Sequence, residues 1–338
     1  MSALDDRSSL VTGKPWRLLA LMPLGEEMNR GLFEPLGAEV SVPATRDRDG
    51  LRAALSEAEL VVGDFTGELA MDAEAVASAP HLAFVQMPSV GVDSCDLDAL
   101  TSANVPVANA AGANTRSVAE WALAAALDLS RHLTWSDRRM RAGDWPQLEA
   151  AAHGADELGG RRVGILGMGA IGTEAARLFS AIGCPVAYWS RRRRPDGVYV
   201  YKELDDLLAT SDVVVVCLAL TPETRGLLGP ERLALLPDGA LLINVARGGI
   251  APDDAVLAAL DGGRLAAAAL DVYDREPLPV DHPLRARDDV LLSPHSSGGT
   301  RRAQSNIIAK VIDNVRAAIE GRPVSDVVNG VDAVIRRR

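Results

Sequence analysis

Arg162-Val-Gly-Ile-Leu-Gly167-Met168-Gly169-Ala170-Ile171-Gly172 reads as an apolar strand that turns on glycines into the start of a helix. Gly167 permits a tight turn, Gly169 lets a bulky anion approach the backbone, and Gly172 lets helix and strand pack closely. The exposed N–H groups and dipole of the helix start suit a pyrophosphate. Such a loop alone is a weak sign, because glycines often serve only a turn. The strand before it and the helix after it make dinucleotide binding the stronger reading.

The pattern extends in both directions from this loop. From Arg162 onward, apolar runs recur at Val163–Leu166, Val186–Trp189, Val213–Leu218, Leu241–Val245, Ala267–Leu270 and Val290–Leu292, with helical segments between them. This predicts a doubly wound, six-stranded Rossmann domain over 117–296. Upstream, the runs Arg17–Met22, Glu39–Val42, Leu60–Val62, Leu82–Gln86 and Pro106–Ala108 alternate with amphipathic stretches such as Arg48–Ala58 and Leu69–Ser78. They predict a flavodoxin-like parallel sheet. A final helical pattern near 301–320 is expected to return to this sheet, making the substrate domain discontinuous, 1–116 with 297–338. Ser117-Val-Ala-Glu120 has capping-box spacing and would open a long Ala/Leu helix to about His132. The polar stretch through Trp145, Pro146 and His153 to Gly160 reads as a connection that could serve as a subunit-contact arm.

Composition narrows the function classes. At 338 residues the chain is long enough for two cores, and 48% hydrophobic with 24% charged residues is a globular mixture. Only 4% are aromatic, so Ala, Val, Leu and Ile must fill the interior, as in covered parallel sheets. A net charge of −11 argues against nucleic-acid binding, and Arg191–Arg194 and Arg336–Arg338 are too local to reverse it. Cys95, Cys184 and Cys217 have no metal-ligand spacing and form no disulfide framework, so no metal site is expected. Met1–Arg7 lacks the features of a signal peptide, and the apolar run Leu18–Leu24 is too short to span a bilayer. A soluble, cytoplasmic protein with no membrane partner is expected.

The end of the second Rossmann strand discriminates between cofactors. NAD-binding proteins commonly place a carboxylate there, against the ribose hydroxyls. Here Ser190 stands at that position, followed by Arg191 and Arg192. A neutral residue removes repulsion towards a 2′-phosphate, and arginine can bond it through two N–H groups. This favours NADP over NAD. The alternative is an ordinary solvated basic turn.

Three polar residues follow successive late strands: Arg247 in Asn-Val-Ala-Arg247-Gly, Glu276 in Asp271-Val-Tyr-Asp-Arg-Glu276-Pro, and His295 in Ser-Pro-His295-Ser. Ligands of open α/β sheets bind at this carboxyl edge. Arginine can hold a carboxylate and polarise an oxo group. Histidine can give a proton to a developing alkoxide and recover it in reverse. A carboxylate on its other ring nitrogen would orient the ring and favour the imidazolium. Each alone could be a loop ion pair or a capped turn, but together on one edge they read as a site.

With these residues the chain resembles the D-isomer-specific 2-hydroxyacid dehydrogenase family over nearly its whole length. The resemblance is carried by the glycine loop, Thr221-Pro-Glu-Thr224-Arg-Gly, Ile243-Asn-Val-Ala-Arg247-Gly, Ala269-Leu-Asp271-Val, Glu276-Pro277 and Pro294-His295. It implies hydride transfer between NAD(P)H and a small 2-oxo or D-2-hydroxy acid, as in glyoxylate/hydroxypyruvate reductases. It assigns Arg247 to substrate binding, His295 to acid/base work and Glu276 as its partner. It also implies Asp271 near the nicotinamide amide, Val245 and Ala246 beside the ring, and Ala219 and Thr224 among the cofactor contacts. Ser89-Val90-Gly91-Val92-Asp93 resembles the segment whose N–H groups hold the substrate carboxylate, and a homodimer is implied. This chain departs from the family at Ala219, where proline is usual, and at Ser296-Ser297, where an apolar residue and alanine are usual. Val90 stands where phosphite oxidisers carry lysine, so phosphite is not expected as the substrate. A nucleotide-sensing scaffold resembling co-repressors of this fold is the rival reading. A methyltransferase is disfavoured because it usually wants an acid where Ser190 stands.

Overall fold

A computed structural model describes residues 14–152, 154–194 and 197–338. The N-terminal stretch read above for a leader and His153 lie outside the described residues. The chain forms two compact units, one of residues up to Ala113 together with Arg301–Arg338, the other Asn114–Thr300. The second unit extends a few residues beyond the 117–296 read from the sequence at each end, and the first is shorter by the same residues.

In chain order the first unit carries β1 (Trp16–Ala20), α1 (Glu26–Phe33), β2 (Ala38–Ser41), α2 (Arg48–Leu55), β3 (Leu60–Val62), α3 (Ala73–Ala77), β4 (Phe84–Gln86), α4 (Leu97–Ser102) and β5 (Val107–Ala108). The second carries α5 (Thr115–Arg131), α6 (Leu133–Arg141), α7 (Gln147–Ala152), β6 (Val163–Leu166), α8 (Ala170–Ala181), β7 (Val186–Trp189), β8 (Val200–Tyr201), α9 (Leu204–Ala209), β9 (Val213–Val216), α10 (Pro230–Leu233), β10 (Ala240–Asn244), α11 (Asp253–Asp261), β11 (Leu265–Leu270) and β12 (Val290–Leu292). The last helix, α12 (Arg301–Ile319), belongs to the first unit.

Both sheets are parallel throughout. The first runs β2-β1-β3-β4-β5, the flavodoxin-like order. Period-two alternation sends Leu18 and Ala20 of β1 to one face, where α12 covers them with Val311, Val315 and Ala318. Leu19 and Leu21 go to the other face, under Leu51, Leu55, Ala75 and Leu100 of α2, α3 and α4. These three helices start on aspartates: the Asp47, Asp72 and Asp96 carboxylates accept from the N–H groups of Gly50, Ala75 and Ala99 at 2.8–2.9 Å.

The second sheet runs β12-β11-β10-β9-β6-β7-β8. Val213 and Val215 pack with Ile165, Ile243 and Ala269 on one face, while Val214 and Val216 pack with Leu166, Leu242 and Ala268 on the other. Chain order reverses between β6 and β9, which places a topological switch point beside the glycine loop. Among the described residues, no helix is long and apolar enough to cross a membrane.

Three local expectations need correction. The second sheet has seven strands rather than six, because the two-residue β8 pairs with β7. The capping box at Ser117 does not form: α5 starts at Thr115, the Ser117 hydroxyl pairs with that of Thr300, and Glu120 pairs with Arg116. The polar stretch after His132 is largely helical, as α6 and α7. His132 adopts a left-handed φ of 52° and breaks α5 from α6. The Asp128 carboxylate then accepts from the Thr134 N–H and hydroxyl at 2.8 Å, which caps the new helix.

Candidate active site

Because every strand pair in the second unit is parallel, the loops after β6, β7, β9, β10, β11 and β12 all leave the same edge of the sheet. The glycine loop fits a dinucleotide. Gly167 has φ +98°, and a Cβ there would lie 2.7 Å from the Cys217 carbonyl oxygen. A Cβ on Gly172 would stand 1.9 Å from the Gly167 carbonyl oxygen, so only glycine allows this contact between loop and helix. Gly169, by contrast, has nothing within 4 Å of its Cβ position. No side chain caps the start of α8, which leaves the loop's anion-binding character intact. Met168 is buried, and Ala170 and Ile171 open α8.

At the end of β7 the Ser190 hydroxyl donates to the Arg192 carbonyl at 2.6 Å and tightens the basic turn. Arg191 and Arg192 are exposed. Arg194 folds back and donates to the Met168 carbonyl (3.2 Å) and the Thr173 hydroxyl (3.1 Å), tying this turn to the glycine loop. The sequence reading assigned nothing to Arg194. Only a folded turn can show its reach.

After β10, the fully buried Asn244 shapes the loop. Its amide donates to the Arg247 carbonyl (3.0 Å) and its oxygen accepts from the Ala246 N–H (3.1 Å). Val245 and Ala246 are mostly buried beside it. Arg247 donates to the Ala246 carbonyl at 2.7 Å. After β11, Glu276 Oε1 accepts from the Tyr273 N–H at 3.0 Å. After β12, His295 has a left-handed φ of 51°, held by its own N–H bond to the Asp271 carbonyl at 2.8 Å.

His295 Nδ1–H donates to Glu276 Oε2 at 2.7 Å, and the imidazole side chain stays 46% exposed, open to a reactant on its far nitrogen. Burial pushes the Glu276 carboxyl up. The His295 bond, the Tyr273 N–H and the charges of His295 and Arg247 outweigh it and leave Glu276 below the usual carboxylate range. The structure therefore brings Glu276 and His295 into contact, with the Arg247 charge acting on Glu276.

Asp271 and Thr224 are placed differently from a simple surface contact. The Asp271 side chain is fully buried and accepts from Ser293 Oγ (2.6 Å), Ser296 N–H (2.7 Å) and Ser297 N–H (3.0 Å). It shapes the histidine loop. Because two of these donors are backbone groups, serines at 296 and 297 do not disturb the arrangement. The Thr224 hydroxyl is buried too, accepting from the Thr221 N–H and donating to the Ala219 carbonyl, both at 2.7 Å. In the first unit, the Ser89 hydroxyl donates to the Gly91 carbonyl (2.7 Å) and the Asn109 amide to the Val90 carbonyl (2.7 Å), closing a tight loop after β4.

A family model described as D-isomer specific 2-hydroxyacid dehydrogenase, NAD binding domain, matches residues 123–297. The chain is 33% identical over 306 residues to a glyoxylate reductase of Aeropyrum pernix, covering 88% of both proteins. The chain belongs to the D-isomer-specific 2-hydroxyacid dehydrogenase family. It is also 34% identical to a D-3-phosphoglycerate dehydrogenase of Archaeoglobus fulgidus over 93% of this chain, although it spans only 59% of that relative's length. Among solved structures, an NAD-dependent formate dehydrogenase from Staphylococcus aureus in complex with NAD matches with a TM-score of 0.83 and 28% identity. That match covers 95% of this chain and all of the other. Within this 2-hydroxyacid dehydrogenase framework, Asn244, Tyr273 and Asn109, like Arg194, carry no signal of their role in the sequence. Each acts through a backbone group distant in sequence or around a turn, which no periodicity reveals.

Proposed function

We propose that this protein transfers a hydride between a nicotinamide cofactor and a small 2-oxo or D-2-hydroxy acid. The observation that carries the reading is the His295–Glu276 pair, on the same sheet edge as Arg247 and the glycine loop. The cofactor supplies or takes up the hydride at the substrate carbon. Arg247 binds the substrate carboxylate and polarises the oxo group, and His295 gives the proton to the oxygen from its outward ring nitrogen. Glu276 orients the ring and balances its positive charge. The first unit acts as the substrate domain. The N–H groups of its Ser89–Gly91 loop, whose Val90 and Gly91 carbonyls accept hydrogen bonds within the unit, suit a carboxylate. Asp271 and Thr224 support the cofactor by shaping its loops, and Val245 and Ala246 flank it. The functional form in this reading is a cytoplasmic homodimer using α6 and α7 as the contact arm.

A panel of 2-oxo acids, including glyoxylate and hydroxypyruvate, assayed with NADPH and NADH by nicotinamide absorbance tests the reading. Dinucleotide binding without turnover of any acid would favour the sensing scaffold instead.

Replacing Glu276 with glutamine tests the pair. The variant lacks the negative neighbour that favours the imidazolium, and reduction needs that protonated form. The alkaline limb of the pH profile for reduction is therefore expected to move to lower pH. An unchanged profile would separate Glu276 from the proton chemistry.

NADPH is expected to be the better cofactor. Both cofactors share the pyrophosphate, so the 2′-phosphate alone distinguishes them, and the turn after β7 is the segment that would hold it. Ser190 presents no repelling carboxylate, while Arg191 and Arg192 offer charge-assisted bonds. Ser190→Asp with Arg191→Ala should reverse the order of kcat/KM for NADPH and NADH. Equal efficiencies in the wild type, unmoved by the double change, would reduce the run to a solvated turn.

A further inference from the structure

Behind the loop that carries Glu276 lies a set of polar contacts to which the proposed proton chemistry gives no role. Asp253 opens α11, and Asp274 lies two residues before Glu276 in the chain. The Asp253 N–H donates to Asp274 Oδ2 at 2.9 Å, and the Asp274 N–H donates to Asp253 Oδ2 at 3.3 Å. These reciprocal bonds clasp the helix start to the loop. Asp253 is 5% exposed, and burial, followed by the Asp274 charge, pushes its carboxyl above the usual range. His282 steadies it: Nδ1 accepts from the Leu284 N–H at 3.3 Å, which leaves Nε2, 3.5 Å from Asp253 Oδ2, to carry a proton towards that oxygen. Asp274 itself is exposed on its outer side.

The clasp closes on the backbone beside Tyr273, where the three site loops meet. A Cβ on Gly248, next to Arg247, would stand 1.9 Å from the Tyr273 carbonyl carbon, so these two loops touch backbone to backbone. The Tyr273 hydroxyl lies 2.9 Å from the carbonyl oxygens of Leu270 and Ser293, bridging the ends of β11 and β12. Its N–H holds Glu276 Oε1, and Oε2 is thereby turned to His295.

The geometry points to Asp274, clasped by Asp253, as a positioning residue that aims Glu276 at His295. The clasp holds the Tyr273–Asp274 peptide, next along the chain from the Val272–Tyr273 peptide whose N–H orients the carboxylate, and Asp274 touches no reactant itself. The inference rests on the His295–Glu276 reading above. A merely structural role, holding the start of α11, would lower the melting temperature without touching the pair.

Three substitutions separate position from charge. Asp274→Asn keeps an acceptor oxygen in place and loses the charge, Asp274→Glu keeps the charge and displaces the oxygens, and Asp274→Ala loses both. Alanine and glutamate are expected to lower kcat for 2-oxo acid reduction about ten- to hundred-fold, as a misplaced group does. The dissociation constant for NADPH and the KM for the acid should stay near wild type, and asparagine should restore kcat. The 15N resonance of His295 Nδ1, assigned by comparison with His295→Gln, should move in the alanine and glutamate variants and stay in place in asparagine. This resonance needs no turnover, so it tests the clasp even if no 2-oxo acid proves to be a substrate. Equal losses in alanine and asparagine would make charge rather than position decisive and overturn the inference. An unmoved resonance and rate in all three variants, with only a lower melting temperature, would leave Asp274 a helix cap. Should the alanine variant fail to fold, the asparagine and glutamate pair decides alone.

Discussion

Replacing His295 with glutamine is expected to lower kcat by about 10²–10⁴-fold, the usual contribution of a positioned acid/base. Glutamine reaches about as far as histidine and keeps hydrogen-bonding capacity, but it cannot deliver a proton to an alkoxide. The loop should survive the change, because its bonds to Asp271 come from backbone groups and from Ser293. The left-handed backbone at 295 costs a non-glycine residue of either type about 1–2 kcal/mol, so the exchange adds little strain. Dinucleotide affinity, read by nicotinamide fluorescence titration, should therefore stay near wild type while steady-state turnover collapses. Near-normal turnover would remove His295 from the mechanism.

Arg247→Lys is expected to raise KM for the 2-oxo acid and lower kcat together. Lysine keeps the charge and loses the planar pair of donors that matches a carboxylate. Loss of one hydrogen bond to a charged group is worth about 1.5–3 kcal/mol, or about ten- to a hundred-fold in kcat/KM. The retained charge still acts on Glu276, so the pH profile should keep its shape, unlike that of Glu276→Gln. An unchanged KM would mean that Arg247 does not hold the acid.

Much of the architecture was legible because the strands announce themselves. The apolar runs Val213–Leu218 and Leu60–Val62 follow directly on Asp212 and Glu59, and strands form at Val213–Val216 and Leu60–Val62. The two residues of β8 give too short a pattern to separate from a loop. Ser117 and Glu120 have the right spacing for a capping box, but a helix that begins at Thr115 puts Ser117 inside its first turn and Glu120 in its second, where they find other partners. The segment that folds as α6 reads as a connection in sequence because Arg138, Arg139 and Arg141 crowd a stretch with few apolar anchors. The site itself was partly legible: Arg247, Glu276 and His295 follow successive strands, so parallel topology alone gathers them at one edge. The contacts that orient them were not, since Asn244, Tyr273 and Asp271 work through peptide groups whose neighbours exist only after folding.

The strand order has a consequence for how such an enzyme can change over generations. From β7, whose end carries the basic turn, to β12, whose end carries His295, there are five steps across the sheet. At about 4.8 Å per step this is about 24 Å. Substitutions so far apart, without shared partners, add nearly independently in free energy. If the turn at 190–194 selects the coenzyme and His295 handles the proton, as proposed, a lineage can change the first while the second stays under separate selection, and neither adaptation has to wait for the other.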